Sequence, residues 1–251
     1  MSRKARRSSS TGYMHVIVRG NARQVIFADI ADHKRYLSLL ERFCTETGVK
    51  VCAYCLMKNH AHMLLSGECG AVTLMMHKLG TGYAGYFNRK YDRVGHLFQD
   101  RFKSEPVENE AYLITVFRYI LQNPQKAGIC AASKYRWSSY PFYDDPPGFM
   151  DLSAIRELLG SKNRYVRFIA AANNECCLEF ETDRHDDAWA LAEIKRCLGV
   201  ENVTNLQKYS RSERNRALAC LIKRGLSIRQ IERLTGINRN KVQRAARCET
   251  V

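Results

Sequence analysis

The chain has no apolar run that approaches the roughly 18–20 residues of a membrane-spanning helix, which excludes the bilayer-crossing classes of function. Its first ten residues, Met1–Ser10, are basic, and no apolar core follows them, so they do not read as a secretory signal. They are expected to form a flexible basic arm, and the chain is expected to be cytoplasmic and nucleoid-associated. Cys52-x-x-Cys55 has no second Cys-x-x-Cys to complete a four-thiolate zinc site, and Cys176-Cys177 is isolated. The ten cysteines therefore read as reduced thiols that pack as small apolar residues. Acidic residues are also scarce, 25 against 40 lysines and arginines, for a net charge of +15.

The placement of that charge is more informative than its size. Residues 1–10 carry four basic and no acidic groups, and residues 207–247 carry twelve basic and two acidic groups. Residues 11–206 are nearly balanced, with 24 basic and 22 acidic. A neutral middle between two basic ends points to a polyanionic partner. At 251 residues the chain has room for a real core and a second small domain.

Within the middle region, Asn59-His60-Ala61-His62-Met63-Leu64 places two histidines at i and i+2 of an apolar run. On a strand these project from one face, and two adjacent imidazoles form half of a divalent-metal site. A pair of half-buried strand histidines is the alternative. Further on, Asn109 to Gln122 reads as a helix with Asn109 as N-cap and Pro124 as its stop. Leu113, Ile114, Phe117, Ile120 and Leu121 form its core stripe, with Tyr119 off that stripe and Asn123 on the tyrosine's face one turn later. A tyrosine with an amide at i+4 suits a nucleophile beside a metal ligand. A surface tyrosine followed by a capping asparagine is the alternative, and Tyr112 is a second candidate tyrosine.

The order of elements reads β-α-β-β-α-β-α. It comprises Tyr13–Arg19, Asp32–Thr47, Val49–Leu56, His60–Ser66, a helix Val72–Tyr91 interrupted by Gly80, Gly82 and Gly85, the strand His96–Val107, and the Tyr119 helix. The expected fold class is α+β, an antiparallel sheet with helices on one face in a ferredoxin-like arrangement, followed by an all-helical C-terminal region.

These elements together resemble the HUH single-tyrosine transposases, and most closely the REP-associated tyrosine transposases. His60-Ala61-His62 matches the His-hydrophobic-His motif, and Tyr119 to Pro124 matches the family's Tyr-Ile-x-x-Asn-Pro. Arg19 to Phe27 looks like the segment after the first strand, Gly95 to Ser104 like the Gly-His-x-x-Gln-x-Arg-Phe-Lys-Ser strand, and Trp137 to Tyr140 like the tail of the catalytic domain. The resemblance covers roughly residues 11–143. One departure is Lys58, where the family has proline before Asn-His. The resemblance implies an HUH fold and a bound Mg²⁺ or Mn²⁺ held by His60, His62 and Asn123. It implies Tyr119 as the nucleophile that forms a 5′-phosphotyrosine link. The substrate it implies is a single-stranded DNA hairpin, a REP-like palindrome, contacted by Arg19, Asn21, Arg23, Arg101 and Lys103. A replication initiator or relaxase with the same chemistry is one rival reading. A domesticated DNA-binding regulator is another.

Asp144-Asp145-Pro146-Pro147-Gly148 reads as a boundary that breaks helix and strand alike. A helical connecting region, 151–200, is expected to follow, with helices at 152–159, 164–172 and 186–198. The segment 203–247 then has the pattern of a helix-turn-helix. Ser227 caps a helix with Ile228, Ile231 and Leu234 on its buried stripe, Gly236 makes the turn, and Asn238 caps a second helix anchored by Ile237 and Val242. Arg239, Asn240, Gln243 and Arg244 face outward, residue types that read base edges and phosphates. Duplex DNA is thus a second expected partner, no membrane is expected, and the chain is expected to act as a monomer or homodimer.

Overall fold

The computed structural model describes residues 7–173, 177–178 and 187–247. The chain divides into two compact units, Met1–Phe180 and Glu181–Val251. Residues 1–6 of the expected arm, Cys176, and residues 179–186 of the expected connecting region lie outside the described residues.

In the first unit the elements follow the order read from the sequence: β1 (Tyr13–Arg19), α1 (Ile30–Thr47), β2 (Lys50–Met57), β3 (His60–Ser66), α2 (Cys69–Lys90), β4 (Lys103–Val107) and α3 (Glu110–Lys126). The strands form one antiparallel sheet in the order β2-β3-β1-β4. β1 and β3 are central, with Ile17 opposite His62 and Arg19 opposite His60. α1 starts on a reciprocal capping box between Asp29 and Asp32 and ends at Gly48 in the left-handed conformation. Asp32 is fully buried, yet it accepts hydrogen bonds from Lys90 at 2.7 Å and Tyr91 at 2.8 Å, which fastens α1 to the end of α2. α2 runs unbroken through Gly80, Gly82 and Gly85.

Helices cover both faces of the sheet rather than one. The Tyr36 hydroxyl reaches the Met63 sulfur at 4.0 Å, so α1 lies on the Met63 face of β3. His62 projects from the opposite face, and there the ring of Tyr119 packs on it, so α3 covers that side. The physical reason lies in β3 itself: Ala61, Met63 and Leu65 on one face and His62 and Leu64 on the other are all buried. A strand apolar on both faces needs a layer on each.

Two helix and strand limits also differ from the sequence reading. β4 covers only Lys103–Val107, and residues before it touch β1 through isolated bonds such as Gln99 N to Arg19 O at 2.9 Å. Pro106 is tolerated because β4 is an edge strand. α3 does not stop before Pro124 but runs through it to Lys126. Proline removes the donor that Ile120 O would receive. The Asn123 side chain stands in, its Nδ2 donating to Tyr119 O at 2.9 Å and reaching Ile120 O at 3.5 Å.

The turn at Asp144–Gly148 lies inside the first unit. Beyond it α4 (Ser153–Leu159) and α5 (Lys162–Ala170) pack on α3, with Phe117 and Tyr165 rings 6.2 Å apart. The expected connecting region 151–200 is thereby divided, since α6 (Asp187–Leu198) belongs to the second unit. Buried Gln122 ties α5 down, its Nε2 donating to Ile169 O at 2.6 Å and to Ala171 O at 2.7 Å.

The second unit consists of α6, α7 (Arg211–Lys223), α8 (Ile228–Thr235) and α9 (Arg239–Arg247) around Ile194, Leu206, Leu218, Leu221, Ile231 and Val242. Ser227 and Gln230 form the capping box of α8. Of the expected stripe on α8, Ile231 is fully buried while Ile228 and Leu234 are half-buried. Gly236 turns the chain toward α9 with φ 69°, a left-handed conformation that favours glycine. Asn238 Oδ1 accepts from Asn240 N at 2.9 Å.

Gln122→Leu keeps the bulk but leaves two backbone carbonyls without their buried donor. An expected loss of about 1–3 kcal/mol should appear as a lower urea midpoint at unchanged slope. An unchanged midpoint would show that water satisfies those carbonyls as well as Gln122 does.

Candidate active site

β3 delivers His60 and His62 to one face with ring centroids 5.0 Å apart. Each imidazole is held from behind at its Nδ1. His60 Nδ1 lies 2.7 Å from Asn59 Oδ1, an atom that only accepts, so that nitrogen carries the proton and Nε2 keeps its lone pair. His62 Nδ1 lies 3.3 Å from Nε2 of His15, a residue of β1 on the same face. Burial, reinforced by the neighbouring His15 and His60, holds His62 well below the ordinary histidine range, and burial alone lowers His15 to about 3. Both rings are therefore neutral at neutral pH, the form in which imidazole ligates a metal.

α3 brings the tyrosine. The Tyr119 ring stands edge-on to His62 at 5.6 Å and to His15 at 5.9 Å, and Lys126 Nζ lies 4.3 Å from the tyrosine ring centre. Tyr119 is 2% exposed and Asn123 8%, so neither is on an open helix face as the periodicity implies. α3 is packed on two sides, with Phe117 and Gln122 against α5 and Tyr119 against the histidine face of the sheet. A residue off one buried stripe thus falls on the other.

Tyr112 is differently placed. Its hydroxyl donates to Glu105 Oε2 at 2.6 Å, and burial together with that carboxylate raises its pKa, so this phenol is held protonated.

The segment around β3 is braced by the loop after β1. Gly20 N donates to Asn59 O at 2.9 Å, and Asn59 Nδ2 donates to Arg23 O at 3.3 Å. A Cβ on Gly20 would lie 2.2 Å from Gln24 O, so this position must be glycine. Asn21 and Arg23 belong to this loop, and Arg23 has φ 61°. Lys58 takes the family's proline position without loosening the turn, because its carbonyl accepts from Ile26 N at 3.0 Å and Phe27 N at 3.1 Å.

The sheet register puts Arg19, opposite His60, and Lys103, opposite Ile17, on the histidine face. Burial, and then the charge of Arg23, lowers the pKa of Arg19. Arg101 and Lys103 line an open groove beside Arg7, Phe102 and Pro106. Arg239, Asn240 and Arg244 are exposed on α9 and Gln243 is half-buried there, all in the second unit. His15 is the site residue that the sequence reading misses. Its period-2 spacing from Arg19 was visible, but only the register with β3 reveals that it stands against His62.

Among the described residues no three His, Cys, Asp or Glu side chains are grouped to hold a metal ion. The donor set on offer is instead two imidazoles and an amide. It fits a divalent cation in two respects. His60 and His62 are both backed at Nδ1, and Asn123 spends its Nδ2 on the helix backbone, which directs Oδ1, the donor for a hard cation, away from it.

An antiparallel sheet that sets paired histidines under a tyrosine-bearing helix is the arrangement expected of the HUH enzymes. Residues 8–123 match the family model described as transposase IS200 like. A solved structure described as the REP-associated tyrosine transposase bound to a REP hairpin is 17% identical, with a TM-score of 0.49 over 61% of this chain and 90% of that one. At that distance the likeness says nothing of individual residues or ligands. No curated protein matches the chain. No helix among the described residues is long and apolar enough to cross a membrane.

The neutral rings make stability depend on pH. Unfolded histidine titrates near 6.5, whereas folded His15 does so at about 3 and folded His62 well below 6.5. Below about pH 6.5 the unfolded chain binds protons that the native state refuses, so stability falls on acidification by up to about 1.4 kcal/mol per pH unit for each ring. Denaturant unfolding between pH 7.5 and 5 should show this fall, with a shallower slope in His15→Leu. A flat profile would mean that the rings charge without unfolding.

Proposed function

We propose that this protein cuts and rejoins single-stranded DNA beside a hairpin through a covalent link to Tyr119. The observation that carries this reading is the seating of the Tyr119 ring on His62, next to His60, within the stretch that matches a transposase family model. A phosphodiester resists attack because its oxygens repel a nucleophile. A Mg²⁺ or Mn²⁺ ion, when bound, neutralises that charge and orients the scissile phosphate. His60 and His62 would hold such an ion through Nε2, and Asn123 through Oδ1.

Tyr119 gives up its phenolic proton, and its Oη forms a bond to phosphorus. The bond from phosphorus to the 3′ oxygen breaks, and that oxygen takes up a proton to leave as a 3′-OH. No electrons are gained or lost, and the phosphodiester energy is kept in the 5′-phosphotyrosine bond. Attack by a 3′-OH on that link therefore rejoins DNA without ATP. Arg19 and Lys103 on the histidine face, with Arg101, Asn21 and Arg23 at its rim, supply phosphate contacts. The preference for a REP-like palindrome rests on the sequence motifs shared with the REP-associated enzymes. Tyr112 is set aside as nucleophile because its proton is held by Glu105.

Tyr119→Phe should abolish the covalent adduct with labelled single-stranded DNA on a denaturing gel while hairpin binding stays within a few-fold of wild type. An adduct formed by the Phe variant would rule out Tyr119. His60→Ala and His62→Ala should each lose the Mg²⁺- or Mn²⁺-dependent cleavage by about 100-fold or more, since a Lewis acid contributes several kcal/mol. Asn123→Ala should lose less. Full activity of the wild type in excess chelator would rule out the metal.

The second unit extends this reading to duplex DNA. Residues 207–247 hold twelve basic and two acidic groups, and α9 exposes Arg239, Asn240 and Arg244. Chain lacking Glu181–Val251 should still cleave short oligonucleotides but bind longer DNA more weakly, with a shallower slope of log affinity against log salt. Arg239→Ala and Arg244→Ala should each reproduce part of that change. An identical slope with and without the unit would show that it faces something other than DNA.

A further inference from the structure

His15 is fully buried, and its Nδ1 is a buried polar atom with no hydrogen-bond partner. An orphaned buried ring nitrogen is unfavourable, and an apolar side chain would avoid that cost. The compensation lies at the other nitrogen. His15 Nε2 is 3.3 Å from His62 Nδ1, the two rings stack at 5.5 Å with 28° between their planes, and Tyr119 stands edge-on to both.

With both rings neutral, one proton serves the contact between them, and it has two possible places. If His15 donates from Nε2, then His62 Nδ1 accepts and the His62 proton sits on Nε2, which blocks that atom from a cation. If His62 donates from Nδ1, His62 Nε2 keeps its lone pair, His15 Nε2 accepts, and the His15 proton sits on the orphaned Nδ1. Only the second arrangement matches His60, whose Nδ1 must donate to Asn59 Oδ1.

We propose that His15 is a positioning residue: by accepting the Nδ1–H of His62, it fixes the tautomer and ring plane in which His62 presents Nε2 to a divalent cation. The inference rests on the metal reading of His60 and His62 given above and deepens it. The two ligands are then held by one logic with different partners, His60 by the asparagine beside it in sequence and His62 by an imidazole from the neighbouring strand. An outer partner of this kind sets metal affinity by about 10–100-fold.

The test measures Mn²⁺ binding to the full-length protein without DNA, from the EPR signal of free aqueous Mn²⁺. His15→Leu removes the acceptor, whereas His15→Gln can place Oε1 where Nε2 stood. The expected result is affinity about 10–100-fold weaker in His15→Leu and within a few-fold of wild type in His15→Gln. Wild-type affinity in His15→Leu, or equal weakening in both variants, overturns the inference. Wild-type binding that is indifferent to His60→Ala would instead sink the metal reading, and this inference with it. Should His15→Leu fail to fold, ¹⁵N–¹H long-range spectra of the metal-free wild type decide alone. They should show His62 and His15 both protonated at Nδ1, and a His62 protonated at Nε2 overturns the inference.

Discussion

His62 sits mid-strand in a central position of the sheet, under α3, with its Nδ1 against His15 Nε2. Bringing two imidazoles out of water and keeping them uncharged is unfavourable, and the surrounding structure is organised around tolerating it. The register between β1 and β3 must place the rings within reach. α3 must close over them, and α3 is itself clamped from outside by α5 through Phe117 and Gln122. The apolar face beneath α1 and α2 supplies the bulk of the burial on the other side of the sheet. A slip of one residue in either central strand would turn that strand's histidines to the wrong layer.

Much of this was legible in the chain. β1 and β3 begin and end where the sequence reading placed them. The histidine pair and Tyr119 were found because i, i+2 spacing and a shared motif are local. The burial of Tyr119 was not legible, since one helix periodicity cannot reveal two packing partners. His15 escaped for a related reason: its significance depends on a pairing forty-seven residues away in sequence. Pro124 misled as a helix stop because the backbone rule takes no account of a side chain that fills the missing bond.

Both units carry an excess of basic groups. The first carries 25 basic and 16 acidic groups, with Arg19, Arg101 and Lys103 around the histidine face and its groove. The second packs a small apolar core beneath a strongly basic surface and is built from short capped helices.

The bond from Asn123 to the backbone has a consequence for how the Asn-Pro pair is to be understood. Proline creates a carbonyl in want of a donor, and the preceding amide answers with its nitrogen. That commitment leaves the amide unable to flip, so its two ends are no longer interchangeable. The shorter of its two bonds, 2.9 Å to Tyr119 O, does not depend on the proline, so the tyrosine's own carbonyl acts as a polariser: the backbone of one candidate site residue decides which atom of the other faces outward.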